Sequence, residues 1–265
     1  MAAATERVEA HQASEVSAHQ QSLRDLHGTL GVSVRGRLVD DDYAGEEKVV
    51  YFIRHGEGCH NVAQREWRAA KKDSEPYTVA NDPGFGYVDA ELTDVGVGQA
   101  KALRPRFAAM AVAPELVVVS PMRRATQTAL LAIGDLAPRP RVLANEDCHE
   151  TGGRHTCDKR LSRSELRAQF PDVDYGDLAA EDDPLWDVEA RESAAGIAAR
   201  AARFATWLEG RPERRVVVAA HSGFLLAFFN AVLSTDTDEA RSWFGTGECR
   251  CLALAWDSHL LPSSG

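Results

Sequence analysis

Apolar positions along this chain fall into short unbroken runs, separated by stretches with helical spacing. Val49–Ile53 (VVYFI), Leu116–Ser120 (LVVVS), Arg141–Ala144 (RVLA) and Val216–Ala220 (VVVAA) are continuous and of strand length. A continuous run needs cover on both faces, as in a sheet packed between helices. Cys251–Trp256 (CLALAW) reads as a last strand. Between the runs the period changes. Ile197, Ala201, Phe204 and Leu208 share one face of a helix predicted over Ala194–Glu209, stopped by Gly210 and Pro212. Thr93 caps a helix through Ala100, Leu103 and Phe107 that Pro105 should bend or break. Ser120-Pro121 reads as a helix start, and Gly223–Leu233 as a buried helix. Ser162 and Glu165 form the capping-box pair of a short helix that ends before Pro171. Strands alternating with helices predict a layered α/β fold. Residues 1–45 depart from this pattern. They are polar, with a thin apolar face (Val8, Val16, Leu23, Leu26) on a candidate helix over Glu6–Leu26. They are expected to form an extension, loosely docked or disordered, before a folded domain at 46–265.

Composition narrows the class. The chain has 265 residues, 44% hydrophobic and 26% charged, which suits one globular α/β domain. Its net charge of −10 argues against a nucleic-acid partner. The five cysteines (Cys59, Cys148, Cys157, Cys249, Cys251) are odd in number, so reduced thiols and a cytoplasmic location are expected. The first residues lack the apolar stretch of a secretory signal, and no apolar run reaches bilayer length, so no membrane partner is expected.

Three of the runs end in chemistry. Val49–Ile53 leads into Arg54-His55-Gly56. Leu116–Ser120 leads into a helix carrying Arg124, and Val216–Ala220 into His221-Ser222-Gly223. Ligands of α/β sheets collect at the carboxyl ends of strands, so two imidazoles and two guanidiniums should share one pocket. That set suits phosphoryl transfer. Guanidiniums fork the phosphate oxygens, a neutral imidazole can attack phosphorus, and a second imidazole can take up charge. The leaving oxygen then needs an acid.

The segments RHGEGCHN, DAELTDVGVGQA, SPMRRATQTA and HSGF occur in that order, and they resemble the signatures of the histidine phosphatase superfamily, also called phosphoglycerate mutase-like. The likeness spans Val49 to Trp256. It implies a three-layer α/β/α sandwich with a mostly parallel sheet. It also implies His55 as a nucleophile that becomes phosphohistidine, with Arg54, Arg124 and His221 around the phosphate. Asn61 and Ser222 complete the expected phosphate-binding set. No cofactor and no metal are expected. Glu150 is the expected proton donor, with Glu146 the second choice. HETGGRHTCDKRLSRSEL is similar to a plant and fungal subgroup of the family. There Arg154, His155, Lys159, Arg160 and Arg163 make a dense basic cluster. Residues 151–192 are read as a cap-like insertion, and Arg154, His155, Lys159 and Arg160 as its leaving-group-selecting residues. Gly58 stands where glycolytic mutases carry a small hydroxyl residue, which favours a phosphomonoester hydrolase. The alternatives are a mutase-type phosphotransferase and a catalytically silent phospho-binding module. The expected partner is a phosphorylated small molecule or a phosphoprotein. The chain says nothing of its oligomeric state. Cys148, His149, His155 and Cys157 are competent zinc ligands, but at a spacing that fits no common finger.

Overall fold

A computed structural model describes residues 16–257, apart from 71 and 73. The continuous runs become the centre of one sheet. Strands β2 (Lys48–Arg54), β3 (Leu116–Val119), β4 (Arg141–Ala144) and β5 (Arg215–Ala220) are parallel neighbours. β7 (Cys249–Trp256) lies antiparallel to β2. Beyond it come β1 (Val34–Leu38) and β6 (Leu233–Ser234), giving seven strands in the order β4-β3-β5-β2-β7-β1-β6.

The period of two along each strand divides the core into two layers. Val50, Phe52, Val118 and Val218 face helices α1 (residues 16–24), α7 (Ala194–Glu209) and α8 (Ser222–Ala227). Tyr51, Ile53, Val117 and Val217 face α4 (Arg104–Ala108), α5 (Arg123–Ile133) and α6 (Arg163–Gln169). The result is the expected three-layer α/β/α sandwich. Two further helices, α2 (Cys59–Ala69) and α3 (Asp94–Ala102), follow the tip of β2, and α9 (Asp238–Arg241) precedes β7. No helix among the described residues is long and apolar enough to cross a membrane.

The predicted break at Pro105 is present: α3 stops at Ala102, and α4 carries the proline in its first turn. Other details differ from the sequence reading. The helix expected from Ser120-Pro121 begins only at Arg123, with extended Met122 as its cap. Gly223–Leu233 is not one α-helix. It opens as α8 and passes into a π-helical turn, Phe228–Val232. The part of residues 1–45 that is described is built into the fold. Leu23 is buried in the core, and β1 pairs with both β7 and β6. β1 was missed because Arg35 and Arg37 alternate with Val34 and Gly36, so the strand reads as polar. Residues 6–15 of the candidate helix lie outside the described residues.

The expected insertion at 151–192 is only half cap. Leu166, Val173, Tyr175 and Leu178 pack on the sheet. The stretch around 151–160 pairs instead with the loop after α2. Thr156 N–H donates to Tyr77 O (2.7 Å), Thr156 Oγ1 donates to Asp82 Oδ2 (2.6 Å), and Trp186 Nε1 donates to His155 O (2.8 Å).

Candidate active site

Parallel register brings the three motif ends together. Arg54 pairs with Ala220 and Val119 with Ala219, so the chain leaves β2, β3 and β5 at one level. His55 N–H donates to Ala220 O and Ser120 N–H to Ala219 O, each at 3.0 Å. The turn after His55 then crosses α3 at van der Waals contact. A Cβ on Gly56 would lie 2.4 Å from Gly96 O, and one on Gly96 would lie 2.1 Å from Glu57 O. Only glycines permit so close a backbone crossing.

His55 is 1% exposed. Its Nδ1 lies 2.7 Å from Gly56 O, and a carbonyl can only accept, so Nδ1 carries the proton and Nε2 the lone pair. Arg124 Nε donates toward that Nε2 at 3.3 Å. Burial first, then Arg124 and Arg54, hold the His55 pKa well below the usual histidine value, so the ring is neutral. The His221 ring lies 5.1 Å away. Its Nε2 meets Ser120 Oγ at 2.7 Å, while its buried Nδ1 has no partner among the described residues. Burial, with Arg124 and His55, lowers its pKa too.

Arg124 is wholly buried and held on three sides: by His55, by Cys157 O (2.7 Å) and by Asp158 Oδ1 (3.0 Å). The other oxygen of Asp158 takes Arg191 Nη1 at 2.8 Å. Despite its burial, Asp158 stays ionised, its pKa driven well down by Arg191, His155 and Arg124. Arg54 Nη1 donates to Phe244 O (2.7 Å), and its buried Nε has no partner among the described residues. Glu150 sits at the start of α8. Its Oε2 accepts from Gly223 N–H (3.3 Å) and Ser222 Oγ (3.4 Å), and its Oε1 from Thr151 N–H (2.9 Å). A Cβ on Gly223 would lie 2.3 Å from Glu150 Oε1, so that glycine makes room for the carboxylate.

These groups surround a cavity of about 890 Å³. Arg54, His55, Asn61, Glu150, His155 and Ser222 line it, with Arg124 and His221 against His55 behind. Asn61 Oδ1 also accepts from Gly58 N–H (2.9 Å), which fixes the first turn of α2. Three of the four expected leaving-group-selecting residues stand elsewhere. Arg154 is exposed, at a φ of +64°. Lys159 lies over the rings of Trp186 and Phe85, 4.6 and 5.7 Å from their centroids. Arg160, 2% exposed, forks Glu146 with two bonds of 3.0 Å and donates to four backbone carbonyls. That pairing also takes Glu146, the second-choice acid, away from the cavity.

The sequence reading missed His19, His60, Tyr77 and Arg191, all in the cavity wall. His60 had a signal, since it lies within the RHGEGCHN segment. Its ring is 5.5 Å from that of His55. The four candidate zinc ligands do not gather. Among the described residues only Glu146, His149 and Asp183 offer three ligand atoms within 4.8 Å of one another. Both of those carboxylates already face cations, Arg160 at 3.0 Å and His149 at 3.2 Å.

Residues 77–259 match the model of the histidine phosphatase superfamily (branch 1). The matched range begins after Arg54-His55, which the sheet register brings to the same edge as the later motifs. A phosphoglycerate mutase-like protein of Arabidopsis thaliana is 36% identical over 206 residues, covering 67% of this chain and 72% of its own. A glucosyl-3-phosphoglycerate phosphatase of Mycolicibacterium vanbaalenii is 30% identical over 179 residues, covering 64% of this chain and 75% of its own. Among solved structures, a putative alpha-ribazole-5'-P phosphatase from Escherichia coli shares the fold. Its TM-score is 0.50 at 19% identity, over 78% of this chain and 90% of that one.

Proposed function

We propose that this chain, which belongs to the histidine phosphatase superfamily, is a phosphomonoester hydrolase working through a phosphohistidine on His55. The observation that carries the reading is the state of His55. It is a neutral ring, fixed by the Gly56 carbonyl, with its Nε2 lone pair among guanidiniums at the cavity floor. In the first step Nε2 attacks phosphorus, the ester P–O bond breaks, and Glu150 gives its proton to the departing oxygen. In the second step the Glu150 carboxylate takes a proton from water as that water attacks the phosphohistidine. Phosphate leaves and His55 is neutral again. Arg54, Arg124 and His221 take up the charge on the phosphoryl oxygens, which is the main catalytic contribution in such chemistry. Asn61 and Ser222 hold the same group. No step calls for a metal.

Gly58 supports hydrolysis over mutase action. A Cβ there would lie 2.7 Å from His60 Nδ1, so the His60 ring fills the place of a hydroxyl side chain. The substrate proposed is a small molecule, because His55 and Arg124 are almost wholly buried at the phosphate end of the cavity.

Turnover of para-nitrophenyl phosphate tests the reading. The wild type should hydrolyse it, and His55→Ala should lose about 10⁴-fold or more of kcat. Denaturation in mid-turnover should trap an acid-labile phosphoryl group on the wild type alone. A His55→Ala variant that keeps its rate would overturn the mechanism.

A further inference from the structure

The cavity changes electrical character from floor to mouth. At the floor, Arg54 keeps a buried Nε unpartnered among the described residues, and Arg124 shares the single carboxylate of Asp158 with Arg191 of the cap. Cationic charge is in excess there, as a phosphate requires. Moving outward, the wall passes from His55 to His60 (5.5 Å between rings) and on to Tyr77 (6.2 Å). Gln64 and Arg68 follow one and two turns further along α2. Among the described residues the charges here are balanced. Arg68 faces Glu75 at 3.7 Å, Gln64 Nε2 donates to Glu75 Oε2 at 3.0 Å, and Glu192 is held by Arg200 at 2.6 Å.

Helix α1 closes the mouth on another side. Val16 and His19, one turn apart, line the cavity. The rest of the same face anchors the helix. Gln20 Nε2 and Arg24 Nε donate to Asn230 Oδ1 at 3.0 and 3.1 Å, Leu23 is buried, and His27 meets Ala231 O at 3.2 Å. Asn230 belongs to the π-helical turn that continues α8, so the element that starts at Ser222 also holds α1 in place. The His19 ring is half-buried and makes no hydrogen bond to another described residue.

We propose that this outer chamber receives an uncharged polyhydroxyl leaving group, that the substrate is a sugar or polyol monophosphate, and that His19 binds one of its hydroxyls. The inference rests on the phosphatase reading above and names the substrate class for that same site. A second anionic group would be desolvated against cations that already have carboxylate partners, which is unfavourable. A hydroxyl both donates and accepts. It is matched by neutral imidazole, phenol and amide groups, which do the same between them. Burial, opposed by Glu150 and reinforced by Arg191, lowers the His19 pKa and keeps it in that neutral form. A volume of about 890 Å³ leaves room for such a group beyond the phosphate.

Glucose 6-phosphate, fructose 1,6-bisphosphate and 3-phosphoglycerate are the probes, with para-nitrophenyl phosphate as the reference. We expect kcat/KM for glucose 6-phosphate to exceed that for both doubly anionic esters by about tenfold or more, the worth of roughly one unpaired buried charge. His19→Ala should lower the ratio of glucose 6-phosphate to para-nitrophenyl phosphate kcat/KM by about fivefold, mainly through KM, as for one lost hydrogen bond. His19→Gln should restore part of it. Preference for the doubly anionic esters, or an equal loss on both substrates in His19→Ala, overturns this inference while leaving the phosphatase reading intact. Absence of any para-nitrophenyl phosphate turnover overturns both.

Discussion

The floor of the cavity and its cap are built by different means. The floor is placed by backbone register: parallel strands end level, and Arg54, His55, Ser120 and His221 follow from where each strand stops. The cap has almost no ladder of its own, so its carbonyls must find donors elsewhere. Arginines supply them, Arg160 and Arg200 buried and Arg191 partly exposed. Arg160 donates to the carbonyls of Leu161, Ala180, Glu181 and Asp182; Arg191 to those of Thr151 and Gly153; and Arg200 to those of Asp147, His149 and Glu150. A dense basic segment can therefore mark loops in need of donors, not only a surface for an anionic ligand.

Asp158 is where the two constructions meet, and its loss should have the largest effect on them. It grips Arg124 of the floor and Arg191 of the cap from opposite oxygens. Asp158→Asn keeps the shape but leaves the buried Arg124 and the partly exposed Arg191 without their shared anion. Breaking a buried pair this way costs about 3 kcal/mol, and displacement of Arg124 should lower kcat/KM by about 10²-fold. Thermal unfolding and kinetics on para-nitrophenyl phosphate read the two losses together. A variant that loses stability with full activity would show that Arg124 is positioned without the cap.

The contrast also explains what the sequence made legible. Continuous apolar runs and caps such as Thr93 and Ser162 depend on neighbours in the chain, and they appear where expected. The floor was readable because Arg54, His55, Ser120 and His221 each end or follow an apolar run. Glu150 could be picked out by its place after β4, but its contacts with Ser222 and Gly223 could not, since they join segments 72 and 73 residues apart. Tyr77, Arg191 and His19 reach the cavity from three distant segments with no shared pattern. β1 escaped because a strand carrying alternate arginines has no apolar run to detect.

Arg160 sharpens the comparison with a smaller effect. As a donor to cap carbonyls and to Glu146, its replacement in Arg160→Met should destabilise the fold by about 2 kcal/mol or more, through unsatisfied buried acceptors. KM for para-nitrophenyl phosphate should change little. A KM rise of tenfold with an unaltered unfolding temperature would return Arg160 to the substrate-binding role that its cluster first suggested.

The smallest effect separates floor from cap by pH. At the floor and on the wall beside it, His55, His221 and His60 all have lowered pKa values, chiefly through burial. The unfolded chain therefore binds protons that the folded one refuses. Their contribution is complete above the ordinary value of 6.5 and is lost as pH falls below it. The pair at the base of the cap has the opposite sign on one side. His149 Nδ1 donates to Glu150 O (2.9 Å), and its Nε2 faces Asp183 Oδ2 at 3.2 Å, so both nitrogens are set to carry protons. Asp183 outweighs the burial that opposes protonation, and the pKa of His149 is raised. That contribution is full below 6.5 and is lost as pH rises through the raised value. The pKa of Asp183 is pulled down to about 2, against burial, by His149. Its share is present above 3.8 and is lost as pH falls toward about 2. The unfolding temperature of the wild type should thus fall on acidification from pH 6.5, while the deficit of Asp183→Asn relative to wild type is greatest between pH 3.8 and 6.5 and narrows on either side. The change in that deficit should be about 2–4 °C, as for roughly 1 kcal/mol in a chain of this size. A deficit identical at pH 5 and pH 8 would mean that His149 is not held protonated, and that cap and floor respond to pH alike.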